Sequence, residues 1–177
     1  MTFYEDMSPY AYWHRETFTD TTTGCCFLSF QPQYERLNIG WLSGDQPWAS
    51  GVAPADFIDR LEAVLAVQAV NEMLGLHDCE LCPPSEEQPP EWYKPRPGHR
   101  RSSAGTGEIR IPGGPGAAFA APTLIGHYVI DHGYVPPKAF VDAVLAFDPS
   151  GHTSAEYPWM RFPWVPTDAV LYDASVE

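Results

Sequence analysis

The chain has 177 residues, enough for one ordinary domain with a real hydrophobic core and short for two, so a single domain over 1–177 is expected. Ten Lys and Arg stand against 23 Asp and Glu, a formal charge of −13 that opposes phosphate backbones and anionic bilayer faces and argues against nucleic acid or a membrane as partner. The opening "MTFYEDMSPYAYWHRE" lacks the basic start and apolar run of a secretory signal, and no stretch approaches the roughly 18 apolar residues of a membrane span, so a soluble cytoplasmic protein is expected.

The first 23 residues are aromatic and polar without a sustained period and read as an arm and a turn. "CCFLSF" (25–30) and "RLNIGWL" (36–42) are short runs of strand formers separated by "QPQYE", suiting a hairpin or two neighbouring strands. Cys25 and Cys26 belong to the first of these, one side chain buried and the other partly exposed, because strand neighbours face opposite sides. From Pro54 the pattern turns helical. Phe57, Ile58, Leu61, Val64, Leu65, Val70, Met73 and Leu74 recur at spacings of three and four, and Gly75 is a natural stop, so the helix is expected to run straight into "LHDCELCPP".

Residues 83–106 hold six prolines and almost nothing apolar, which predicts an exposed loop. Lys94, Arg96, Arg100, Arg101 and Arg110 cluster in and after it, a solvated basic stretch or a local anion patch. "GEIRIPGGPGAAFAAP" reads as strand, turn, strand, with Ile109 and Ile111 on one face and Glu108 and Arg110 on the other. "PTLIGHYVIDHG" suits a helix from Pro122 to Gly133, and a further helix runs from Pro137 to about Phe147. The lead-in to that helix, "VPPKAFVDAV", matches "VAPADFIDRL" at 52–61 at one fixed offset, a common way to begin a helix and also compatible with a pseudo-symmetric pair. The tail from Asp148 carries "YPWMRFPWVP", four aromatics and three prolines in ten residues, too apolar to leave in water. It is expected to pack on its own domain, with the core at about 36–147.

Chemistry concentrates in "LHDCELCPP". Four cysteines in a reducing compartment are expected as thiols or metal ligands. A redox Cys-x-x-Cys pair belongs at a helix start, whereas Cys79 and Cys82 run into Pro83 and Pro84, which favours zinc. A closed tetrahedral site needs two more ligands. His127 and His132 offer them, provided the helix end distorts, because residues five apart on a regular helix are rotated by about 140°. His77 is the competitor for the fourth position. Four protein ligands define a structural zinc, and an open position defines a catalytic one.

The segments "NIGWL", "HDCELC", "GEIRIPG" and "APTLIGHYVIDHGYVPPKAF", with the opening "FYEDMSPYAY", make the core from about Asn38 to Phe147 resemble a family of short bacterial proteins with no established activity. The resemblance supports the metal constellation. "HRETFTDTTTGCCFLSFQPQ" and the tail after Phe147 depart from the family pattern, so what is particular to this protein is expected there.

The fold class expected is α+β, a small antiparallel sheet packed with about three helices and stapled by zinc. The function expected is noncatalytic protein binding, as an immunity or antitoxin-like inhibitor or an accessory protein. Its partner would be another protein, a basic one suiting the charge of the chain, steered by that charge and gripped by Trp159, Phe162 and Trp164. The alternative is a zinc enzyme, a hydrolase or deaminase-like, with a water on a site of two cysteines and one histidine and with Asp131 or Glu80 as the acid. His14-x-Glu16 followed by Cys79-x-x-Cys82 is a weak deaminase-like match.

Overall fold

The computed structural model describes residues 2–82, 104–151 and 156–176. Its strands are β1 (Glu16–Thr19), β2 (Cys26–Phe30), β3 (Glu35–Asn38), β4 (Ala69–Val70), β5 (His77–Asp78), β6 (Ala104–Gly105), β7 (Glu108–Gly114), β8 (Ala117–Pro122) and β9 (Val170–Asp173). Its helices are α1 (Ala55–Val67), α2 (Ile125–Asp131) and α3 (Lys138–Ala146), with a short 3-10 turn at Ala174–Val176. Seven strands form one sheet in the order β3-β8-β7-β4-β1-β2-β9, while β5 and β6 pair separately. Only β3 runs parallel to its neighbour, β8.

The architecture is α+β, with a mixed sheet larger than the small antiparallel one expected. The expected hairpin between β2 and β3 does not form, because both edges of β2 are taken by β1 and β9 and the chain crosses to the far edge. The arm expected over the first 23 residues contains β1, an interior strand whose "ETFT" alternation is too short to read as a period. The hairpin of β7 and β8 is as expected, in register from Glu108 opposite Pro122, with a bulge between Pro112 and Gly114.

The two faces of the sheet are covered by different material. Ile109, Ile111, Phe119 and Ala121 meet Phe57, Leu61 and Val64 of α1, Ile125, Tyr128 and Val129 of α2, and Phe140 and Val144 of α3. Both α1 and α3 begin on an extended proline, Pro54 at φ −59° and ψ 142° and Pro137 at φ −52° and ψ 141°, and Phe57 and Phe140 meet edge to face at 6.2 Å. The opposite face carries Phe18, Leu28, Phe30 and Val70, and the tail lies across it through Met160 and Phe162. Phe162 stacks on Phe18 at 5.5 Å and is fully buried. It therefore cannot touch a partner while the tail stays docked; Trp159 and Trp164 are half-buried beside it.

Helix α1 stops at Val67, seven residues short of the expected Leu74. Gln68 turns extended, its side-chain oxygen accepts the Arg110 N–H, and Ala69 and Val70 enter the sheet between β1 and β7. Val70 continued the helical spacing by coincidence, since it is buried on the sheet while Leu74 is fully exposed. The stretch 83–103, with most of the expected loop and Lys94, Arg96, Arg100 and Arg101, lies outside the described residues. Arg110 is no part of a surface patch, being fully buried. Cys25 is exposed and precedes β2, and Cys26 is half-buried as its first residue, so neither is the core residue expected; burial begins further along the strand, at Leu28.

The N-terminal arm is strapped down at three points. Tyr4 bridges to Trp41 and Pro9 to Leu37. Asp6 accepts the Gly40 N–H at 2.8 Å and the Tyr134 O–H at 2.8 Å. Burial outweighs these bonds and raises the Asp6 carboxyl above its ordinary value. The folded chain then binds that proton more tightly than the unfolded chain does, so the stability linked to Asp6 is greatest below the ordinary aspartate value and is lost as pH rises through the raised one. Asp6→Asn keeps an acceptor for Gly40 and has no charge to desolvate. Its urea midpoint is expected to gain on wild type as pH rises from about 4 to about 7, and parallel curves would refute this.

Candidate metal centre

Two segments far apart in sequence build the centre. The first is the turn after β5, which carries Cys79, buried against the main core, and Cys82. The second is α2, of only seven residues, which follows β8 after a two-residue link. Pro122 ends β8 and does not begin the helix; it lies past Ala120, where the pairing of β8 with β3 stops. The helix ends where the histidines need it to. His132 leaves helical geometry at φ −115° and ψ 1°, and Gly133 takes φ +64°. The Tyr134 N–H then bonds back to the Tyr128 carbonyl at 3.0 Å. A Cβ at position 133 would stand 3.1 Å from the Gly51 carbonyl oxygen, so both the conformation and the space call for glycine. This distortion brings His132 round to His127, their ring centroids 4.8 Å apart.

Cys79, Cys82, His127 and His132 form a group that could hold a metal ion, with one ligand atom from each and all four within 4.8 Å of one another. His127 Nε2 lies 3.2 Å from Cys82 Sγ and 3.0 Å from His132 Nε2, and His132 Nε2 lies 3.3 Å from Cys79 Sγ. His77 stands outside the group: it belongs to β5, with Nε2 4.0 Å from Glu80 Oε1.

Protonation suits ligation. Asp131 Oδ2 sits 2.7 Å from His127 Nδ1, which donates to it and leaves the Nε2 lone pair facing the cysteines. Burial, with His127 beside it, lowers the His132 pKa and keeps that ring neutral. Burial and the neighbouring Cys79 sulfur push the Cys82 thiol up to about 11. A redox pair needs the reverse, a thiolate near neutrality, whereas a cation between the sulfurs would hold both as thiolates. Asp131→Asn is expected to weaken metal affinity roughly 10- to 100-fold with the fold retained, measured by chelator competition.

The other candidate chemical groups are engaged elsewhere. Glu80 accepts from Ser43 Oγ at 3.3 Å. Glu16, the glutamate of the deaminase-like match, is fully buried on β1 with Arg110 Nε at 2.7 Å and Arg36 Nη1 at 2.5 Å, which occupies it far from any proton shuttle at the cysteines. Glu108 completes this set, its Oε2 ion-paired with Arg110 Nη1 at 2.7 Å and its Oε1 accepting from the Tyr10 hydroxyl at 2.8 Å. Sequence reading placed Glu108 and Arg110 on one strand face but missed their burial. Alternating charge opposite isoleucines is the ordinary mark of a solvated face, and the covering residues, Glu16, Tyr10 and Arg36, come from distant segments.

Fold and site together define an α+β protein with a two-cysteine, two-histidine group pinned between a turn and a short helix. The chain belongs to the family described as "Domain of unknown function (DUF7919)", whose model matches residues 2–145. The match runs through "HRETFTDTTTGCCFLSFQPQ", one of the two stretches expected to depart from the family pattern, and stops before the other, the aromatic tail. No curated protein and no solved structure shows a significant match to the chain.

Proposed function

We propose that this chain is a noncatalytic, zinc-stapled module that binds another protein. The observation that carries the reading is the completeness of the Cys79, Cys82, His127 and His132 group. A tetrahedral zinc with bonds of about 2.3 Å to sulfur and about 2.0–2.1 Å to nitrogen would separate neighbouring ligand atoms by roughly 3.3–3.8 Å. Three of the four sulfur-to-nitrogen distances and the nitrogen-to-nitrogen one, at 3.0–3.5 Å, lie close to that range, and all four ligand atoms fall within 4.8 Å of one another. Two thiolates and two imidazoles in a tetrahedral set favour zinc over magnesium or calcium, which take oxygen ligands. Such a set fills every position, so a water could be activated only if one histidine gave way. Of the two acids the enzyme alternative offers, Asp131 is held by His127 and Glu80 accepts from Ser43.

Binding is supported by surface chemistry. The charge of −13 suits a basic partner. At the sheet edge, Val170, Leu171 and Tyr172 of β9 are each nearly half exposed, and Tyr172 stacks on Phe27 at 4.7 Å. An open edge strand bearing apolar side chains is where a partner adds a strand of its own. It takes over the anchoring role that burial removes from Phe162. The test is metal content by mass spectrometry together with capture of a partner from the native host. One zinc per chain and a partner lost on Tyr172→Asp but kept on Asp131→Asn are expected. A metal-loaded protein that turns over a substrate, with Asp131→Asn inactive, would overturn the reading.

A further inference from the structure

On the side of the sheet where β4 and β8 end and β7 begins, the fold encloses a pocket of about 510 Å³, inside the usual size range of small-molecule sites. None of the four candidate metal ligands lines it. One wall is aromatic: Tyr12, nearly half exposed, stands 5.4 Å from the buried Trp41, whose indole N–H is already spent on the Ala120 carbonyl. The Gly105–Gly107 backbone forms another wall. A Cβ at Gly105 would fall 2.7 Å from Thr123 Oγ1, so backbone there packs directly against the start of α2.

Asn71 marks the polar end. It is 3 % exposed and holds a left-handed backbone at φ +49°, uncommon for a residue with a side chain. Its backbone N–H donates to the Thr17 carbonyl at 2.7 Å, and its Oδ1 accepts the Thr17 N–H at 2.9 Å. That second bond fixes the amide's orientation, since a flipped amide would set N–H against N–H. Nδ2 is left buried with no hydrogen-bond partner among the described residues, and His77 Nε2, from the same lining, is a nitrogen without one there too. Buried donors are almost always satisfied, so the orphan Asn71 Nδ2 in this cavity points to a ligand that supplies an acceptor.

The lining also limits charge. It holds no Lys or Arg among the described residues, and it includes Glu108, whose carboxylate is neutralised by Arg110 behind it. Among the described residues of the lining, a phosphate or carboxylate would meet Glu108 and no Lys or Arg. We propose that this pocket binds an uncharged planar heterocycle carrying a carbonyl oxygen, stacked on Tyr12 and hydrogen-bonded through that oxygen to Asn71 Nδ2.

The probes are uracil and nicotinamide, titrated into the full metal-loaded chain and followed by amide NMR shifts. Saturable binding of at least one, with a Kd near or below about 1 mM, is expected for molecules of this size. Shifts should centre on Gly105, Thr106 and Gly107. Asn71→Asp keeps the acceptor for Thr17 and tolerates the left-handed backbone while removing the donor, and should weaken binding at least tenfold. Tyr12→Ala, at the exposed mouth, should weaken it severalfold and remains informative if the Asn71 variant fails to fold. Uridine 5′-monophosphate should bind more weakly than uracil. The proposal is overturned by the absence of saturation with both probes, by shifts centred elsewhere, by wild-type affinity in either folded variant, or by tighter binding of the monophosphate.

Discussion

Replacing Cys79 with serine is expected to unfold the domain. Cys79 is 7 % exposed and packs with Ile125, Tyr128 and Val129 in the main core, so its sulfur sits where the turn after β5 meets α2. Beside it, Leu81 packs against the same core, β5 and β6 pair over two residues, and Glu80 accepts from Ser43 at the surface. A structural zinc in small domains supplies about 10 kcal/mol or more of apparent binding energy, comparable to the whole stability of an ordinary domain. Even a fraction of that, several kcal/mol, would move the variant past its folding threshold. Loss of the cooperative urea transition is the expected readout, and a strong chelator should produce the same loss in wild type. A variant that keeps the wild-type midpoint while losing its metal would show the ion to be dispensable for folding.

Arg110→Met is expected to be the most damaging substitution away from the metal. Arg110 lies fully buried and answers Glu16 through Nε at 2.7 Å and Glu108 through Nη1 at 2.7 Å. Methionine fills similar space but leaves two buried carboxylates to share Arg36 and the Tyr10 hydroxyl. Stranding a buried charge costs about 3–5 kcal/mol, which for a chain of this size lowers the melting temperature by roughly 10 °C or more. The same substitution combined with Glu16→Gln and Glu108→Gln should recover most of the loss, because neutral amides tolerate burial better than unpaired carboxylates. If the triple variant is no more stable than Arg110→Met alone, the damage is one of packing and the charge argument fails. The cluster also ties the arm to the sheet, since both guanidinium groups lie over the Tyr10 ring, at 4.5 Å for Arg36 and 4.8 Å for Arg110.

What could be read from the sequence was what local physics decides. The hairpin of β7 and β8, the entry of α1 and α3 at their prolines, and the end of α2 at Gly133 all follow from residues within a few positions of one another. The grouping of Cys79 and Cys82 with His127 was legible from ligand type and spacing, and the choice of His132 over His77 needed the distorted helix end to be seen. Long-range pairing was not legible. Nothing near Glu35 announces that β3 will lie beside Ala117, and nothing near Val70 distinguishes a buried strand residue from the next turn of a helix. The pocket was invisible for the same reason: its walls come from separate stretches of unremarkable residues.

The strand order has a consequence for how the protein is made. A chain emerging from the ribosome presents β1 and β2 at once as a possible hairpin, but β3 must wait some eighty residues for β8, and β2 keeps a bare edge until β9 arrives more than 140 residues after it. The cysteines of the turn likewise precede His127 and His132 by about fifty residues. Contacts of such separation form slowly, and half-made sheets with open edges pair with the wrong strands. Nascent chains are therefore expected to be most vulnerable to aggregation between the release of β3 and that of β8, the interval in which a holding chaperone would do most for yield.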